Sequence, residues 1–175
     1  MVIDDDLKLA ESLLEKIAIS STRPEENRVD FILNPADIKT ATRTILREGH
    51  WGYLSAITTL DCPEFMVDET TKEKKLIPGK GHLEVLYHFC RDAAVATFRV
   101  SLPYENPTID TICDILSSAT LYEREAAELM GITFVGTPNT DRLILAESWP
   151  EGVYPLRKAF TGLKDLQTPE EGVCS

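Results

Sequence analysis

The chain has 175 residues, 43% of them hydrophobic and 27% charged, which suits one globular domain with a real hydrophobic core. Its 29 acidic and 18 basic residues give a net charge of -11, a field that repels phosphate backbones and anionic lipid, so nucleic-acid binding is not expected. No apolar run reaches the roughly 20 residues of a membrane span, and the acidic start Met1-Val-Ile-Asp-Asp-Asp6 is unlike a signal peptide. The expectation is therefore a cytoplasmic protein able to dock on a membrane complex.

In chain order, Asp4 to Ile17 has helical spacing, with Leu7, Ala10, Leu13, Leu14 and Ile17 on one face and acids at the start, where the helix dipole favours them. Residues 20–27 read as a loop, and Arg28 to Leu33 as a short strand. Asn34-Pro35 opens a second helix with a stripe of Ile38, Ala41, Thr42, Ile45 and Leu46, and Gly49 offers a left-handed stop. Tyr53 to Leu60 is a strand ended by Asp61-Cys-Pro63, and the polar residues 64–81 form a long connection or hairpin with a mobile tip.

Leu83 to Cys90 and Ala93 to Leu102 alternate in polarity around Arg91-Asp92 and predict an antiparallel hairpin. Asn106-Pro107 is expected to begin a third helix, with Ile109, Ile112, Cys113 and Leu116 as its stripe. The next helix spans 120–131, where Thr120 and Glu123 have capping-box spacing, Gly131 supplies the stop and Ile132 folds back. Beyond Phe134, frequent Gly and Pro predict an extended arm. The fold class is thus α+β in two layers: an antiparallel sheet of about four strands, helices mainly on one face, a domain over 1–135 and an arm over 136–175.

Little here forms a self-contained active site. Glu123, Arg124, Glu125 and Glu128 are a charge-dense helix face, but Glu123 and Glu125 lie about 200° apart on a helix and cannot address one substrate together. Anchoring by forked Arg–carboxylate pairing is the better reading, and Arg124 and Glu128 stand one turn apart. His82, His88 and Cys90 share strand parity, yet the two histidines are about 20 Å apart and His88 with Cys90 lacks a third ligand, so no metal site is expected. Cys62, Cys90, Cys113 and Cys174 are widely spaced and read as reduced thiols, three in core segments and one on the tail. Nucleotide loops and nucleophile elbows are absent from the sequence. Trp149, Arg157 and Lys158 stand out from the acidic bulk, and Trp149 fits either partner contact or packing on its own domain.

Glu123-Arg-Glu-x-x-Glu-Leu-Met-Gly-Ile132, then Phe134, Pro138, Arg142-Leu-Ile-Leu145, Trp149, Gly152 and Pro155-Leu-Arg-Lys158, resembles the 30 kDa subunit of complex-I-type NADH dehydrogenases. The form Trp149-Pro-Glu-Gly-Val-Tyr-Pro-Leu-Arg-Lys158 is closer to the equivalent subunit of energy-converting membrane-bound nickel–iron hydrogenases and deazaflavin-dependent dehydrogenases. Thr137, Leu121, Ala159 and Asp141 depart from the family pattern. The resemblance implies a cofactor-free scaffold on the cytoplasmic face, peripheral to the membrane, in an ion-pumping oxidoreductase. It further implies docking on a large subunit related to the nickel–iron hydrogenase catalytic subunit, alongside iron–sulfur subunits and membrane-embedded subunits. Iron–sulfur clusters, and in the hydrogenase branch a nickel–iron centre, would reside in those partners. The implied contact residues are Glu123, Arg124, Glu125, Glu128, Trp149, Arg157 and Lys158, with no catalytic residue in the chain. The rival readings are a small acid/base enzyme and a His/Cys metal-binding module.

Overall fold

The strongest alternation in the sequence builds the centre of the fold. In the computed structural model, which describes residues 2–69 and 72–162, β4 (Lys74–Arg91) and β5 (Ala94–Pro103) pair antiparallel with Val85 opposite Val100 and Tyr87 opposite Phe98. Leu83, Val85, Tyr87 and Phe89 face the core with Ala96, Phe98, Val100 and Leu102. Two aromatic pairs, Phe31–Phe98 at 6.0 Å and Phe89–Phe98 at 4.9 Å, lock the middle of this layer.

The sheet has five strands rather than about four, in the order β1-β2-β5-β4-β3, where β1 is Ser20–Glu25, β2 Arg28–Leu33 and β3 Tyr53–Val67. It is also mixed rather than antiparallel throughout, because β2 runs parallel to β5 with Phe31 beside Phe98. β1 replaces the loop that the sequence suggests. It is an edge strand exposed along its whole length, so burial imposes no alternation on it and pairing with β2 alone defines it. β3 continues past Asp61-Cys-Pro63 to Val67, making 53–91 one long hairpin with bulges after Leu54 and Pro63. Pro63 is tolerated because β3 is an edge. Residues 70–71 of the expected 64–81 connection lie outside the described residues.

Three helices cover the core. α1 (Val2–Leu14) buries Leu7, Ala10 and Leu14, and the expected continuation to Ile17 is instead a turn closing on the Leu14 carbonyl. α2 (Ile38–Arg47) is entered through a 3-10 turn, Pro35–Asp37, and buries Ile38, Ala41, Thr42 and Ile45 as its spacing predicts. The left-handed residue after α2 is His50 (φ 51), not Gly49. Gly49 is needed for space, since a Cβ there would stand 2.7 Å from the Ile45 carbonyl oxygen and 2.9 Å from the Trp51 ring.

The third helix expected from Asn106 does not form. Thr108–Asp110 is β6, paired parallel with β7 (Thr133–Val135), and a single turn closing on the Ile112 carbonyl follows. Ile109 and Ile112 are buried as the stripe required, but the four β-branched residues among Thr108–Ile112 favour extended backbone. α3 (Ala119–Met130) ends on Gly131 at φ 72, and Ile132 folds back into the core as expected. Together these elements form the α+β class expected, with the helices contributing to one core on one face of the sheet.

Candidate functional site: the α3 and arm latch

The charged face of α3 divides by direction. Glu123 is 1% exposed and accepts hydrogen bonds from the Ile112 N–H (2.8 Å), the Thr111 hydroxyl (2.5 Å) and the Cys113 thiol (3.2 Å). The capping box is therefore absent. Ser118 is the N-cap without a side-chain bond, and the Thr120 hydroxyl donates to the Ser117 carbonyl. Glu123 instead fastens the segment that takes the place of the expected helix, so its side chain offers no partner surface. Glu125 is exposed on the opposite side.

Arg124 and Glu128 reach the arm. Arg124 donates to the Asp141 and Arg142 carbonyls at 3.0 and 2.9 Å. Glu128 accepts from three successive backbone N–H groups, those of Leu143 (3.1 Å), Ile144 (2.8 Å) and Leu145 (2.8 Å). Partial burial disfavours the Glu128 charge, but these donors and Arg142 outweigh it, holding the carboxyl below its ordinary pKa. The expected Arg124–Glu128 pairing gives way to main-chain recognition. Both side chains line a cavity of about 470 Å³ between α3 and the arm, with Phe134 and Tyr154 among its walls.

The arm is closed by further bonds of the same kind. Arg142 donates to the Ala146 and Trp149 carbonyls, and the Trp149 ring N–H to the Val153 carbonyl at 2.8 Å. Trp149 thus packs within the arm, 6.1 Å from the Phe160 ring. Arg157 donates to the Met130 carbonyl at 2.8 Å, satisfying an end of α3, and lies over the Tyr104 and Tyr154 rings. The Lys158 backbone N–H donates to Asp61, which also accepts from the Tyr104 hydroxyl. The Lys158 side chain is not used in this contact. Asp61 and Tyr104 do not stand out in the sequence. Each lies far from the arm along the chain, and only the sheet register brings them to it.

The outer side of the latch exposes three large apolar side chains among polar ones such as Asp141, Glu147 and Glu151. Leu143, Ile144 and Leu156 are 41%, 54% and 57% exposed although they belong to the ordered arm. Residues 163–175 of the expected arm, with Cys174, lie outside the described residues. Cys62, Cys90 and Cys113 are free thiols. Both ring nitrogens of His88 meet threonine hydroxyls, Thr97 at 3.1 Å and Thr58 at 3.0 Å, so a His88–Cys90 metal pair is not what this register builds. Among the described residues no helix is long and apolar enough to cross a membrane.

Comparison with known proteins agrees with this architecture. An NADH-quinone oxidoreductase subunit of Geotalea uraniireducens is 29% identical over 164 residues, covering 90% of this chain and 87% of the relative. Membrane-bound hydrogenase subunit beta of Pyrococcus furiosus is 39% identical over 73 residues, 42% of each chain. A chain of the membrane-bound sulfane sulfur reductase, an archaeal respiratory membrane complex, shares the fold with a TM-score of 0.72 at 21% identity, covering 93% of this chain and 89% of that one. The family model described as respiratory-chain NADH dehydrogenase, 30 kDa subunit, matches residues 31–165, and the chain belongs to that family.

Proposed function

We propose that the chain is a scaffold subunit of a membrane-bound, ion-pumping, complex-I-related oxidoreductase, of the respiratory dehydrogenase or energy-converting hydrogenase type. It carries no redox cofactor of its own. It sits peripherally on the cytoplasmic face and docks on the large subunit that forms the acceptor or nickel–iron site, with iron–sulfur clusters held by partner subunits. The observation that carries this reading is the latch. Arg124, Glu128 and Arg157 commit their hydrogen-bonding capacity to the backbone of the arm and of α3 and leave Leu143, Ile144 and Leu156 facing outward. Exposed large apolar side chains interspersed with exposed charge suit a subunit contact. The relatives named above, by their names subunits of an NADH-quinone oxidoreductase and of a membrane-bound hydrogenase, support the same reading.

The test is co-purification of the affinity-tagged chain with the large subunit from membranes. Ile144→Ser adds no charge beside Glu128 and is expected to leave stability within about 0.5 kcal/mol while lowering recovery of the large subunit. Arg124→Ala, or truncation after Trp149, is expected to weaken assembly more than it lowers Tm. Full assembly with lost turnover would count against a scaffold role. A free-standing acid/base enzyme is disfavoured because Glu123 points inward and Glu125 outward.

A further inference from the structure

The face of the sheet turned away from the helices carries a second polar cluster. Cys62 on β3 lies directly opposite His82 on β4, and Glu84 follows two residues along the same face. Their candidate ligand atoms all lie within 4.8 Å of one another. Register and a close approach bring them together. Gly81, at φ 128, lets β4 press against β3, where a Cβ would stand 2.4 Å from the Cys62 carbonyl oxygen.

We infer that Cys62, His82 and Glu84 form a binding site for a redox-inactive divalent ion of the Zn²⁺ class. A thiolate, an imidazole and a carboxylate are the donor types zinc takes, and this mixture disfavours the all-oxygen ions Ca²⁺ and Mg²⁺. Zinc–ligand bonds of about 2.0–2.3 Å in a tetrahedron place neighbouring donors about 3.3–3.8 Å apart. His82 Nε2 and Glu84 Oε1 are already 3.6 Å apart. Arg99 binds the other Glu84 oxygen at 2.7 Å and is itself held by Asp30, so the carboxylate is aimed by an outer ring of charge. The His82 side chain is 43% exposed, which leaves an entry path, and water completes the fourth position. Burial and the Glu84 charge raise the Cys62 pKa, so zinc binding displaces the thiol proton to solvent as the Zn–S bond forms. The expectation of no metal in this chain rests on His82, His88 and Cys90 and on the wide cysteine spacing, and pairs His82 with the wrong partners. Sequence order hides the true cluster because Cys62 reaches His82 only through the hairpin register.

Zn²⁺ is titrated by calorimetry into the metal-free full chain, and Co²⁺ is used as an absorbing probe of thiolate coordination. One equivalent of Zn²⁺ per chain is expected, with a thiolate-to-cobalt charge-transfer band. Cys62→Ser should abolish the band, His82→Ala should weaken Zn²⁺ binding at least about tenfold, and Cys90→Ser should change neither. Mass-spectrometric alkylation provides a readout on the unmutated chain: Zn²⁺ should protect Cys62 and leave the Cys90 rate unchanged. Absent binding, cobalt bound without a thiolate band, or no protection of Cys62 overturns the proposal.

Discussion

Glu123 joins α3 to the Thr111–Cys113 turn through a carboxylate sealed from water, and its removal leaves two buried donors without an acceptor. Glu123→Ala is expected to cost about 2–3 kcal/mol, read as a lower urea midpoint at unchanged m. Gly131 answers two demands at once. It takes φ 72, and a Cβ there would meet the Tyr154 ring at 2.4 Å. Gly131→Ala adds left-handed strain to displacement of Tyr154, and a Tm drop of about 3–8 °C is expected, from about 1–2 kcal/mol of backbone cost. Glu128 gives a pH signature. Its folded pKa lies below the ordinary 4.5, so the stabilisation it contributes is present above that value and is lost as pH falls through the lowered one. Amide exchange at Leu143, Ile144 and Leu145 should accelerate in that acidic window. In Glu128→Gln the extra acid-induced acceleration should vanish.

Among the elements, those with strong periodicity and burial are legible in sequence: the apolar stripes of α1 and α2, the β4–β5 hairpin and the Gly131 stop of α3. β1 is illegible because an exposed edge strand needs no apolar alternation. Residues 106–116 mislead because i, i+3, i+4 spacing also suits a short strand followed by one turn, and the deciding partner, Glu123, comes later in the chain. The latch is half legible. Arg124, Glu128, Trp149 and Arg157 stand out by residue type, while their partners are backbone groups of the arm and of Met130, to which side-chain patterns are blind. Pairing at the scale of elements yields its own test. Ile109→Pro deletes a donor within β6 and should loosen β7 and the start of the arm, read as faster proteolysis after Phe134 with the five-stranded sheet retained.

At the scale of the whole molecule, one face of the sheet carries the helices and core, the other the Asp30–Arg99–Glu84 chain, and the arm closes over α3 from Thr137 to Phe160. Because the latch grips carbonyls and N–H groups, the identities of the arm's outward side chains are left unconstrained by folding. Leu143 and Ile144 are interchangeable as far as Glu128 is concerned, except by proline, which has no N–H to give. Ile144→Ser should therefore keep the arm protease-resistant while Ile144→Pro releases it. A subunit so built can be retailored to a different neighbour residue by residue, with its own architecture untouched.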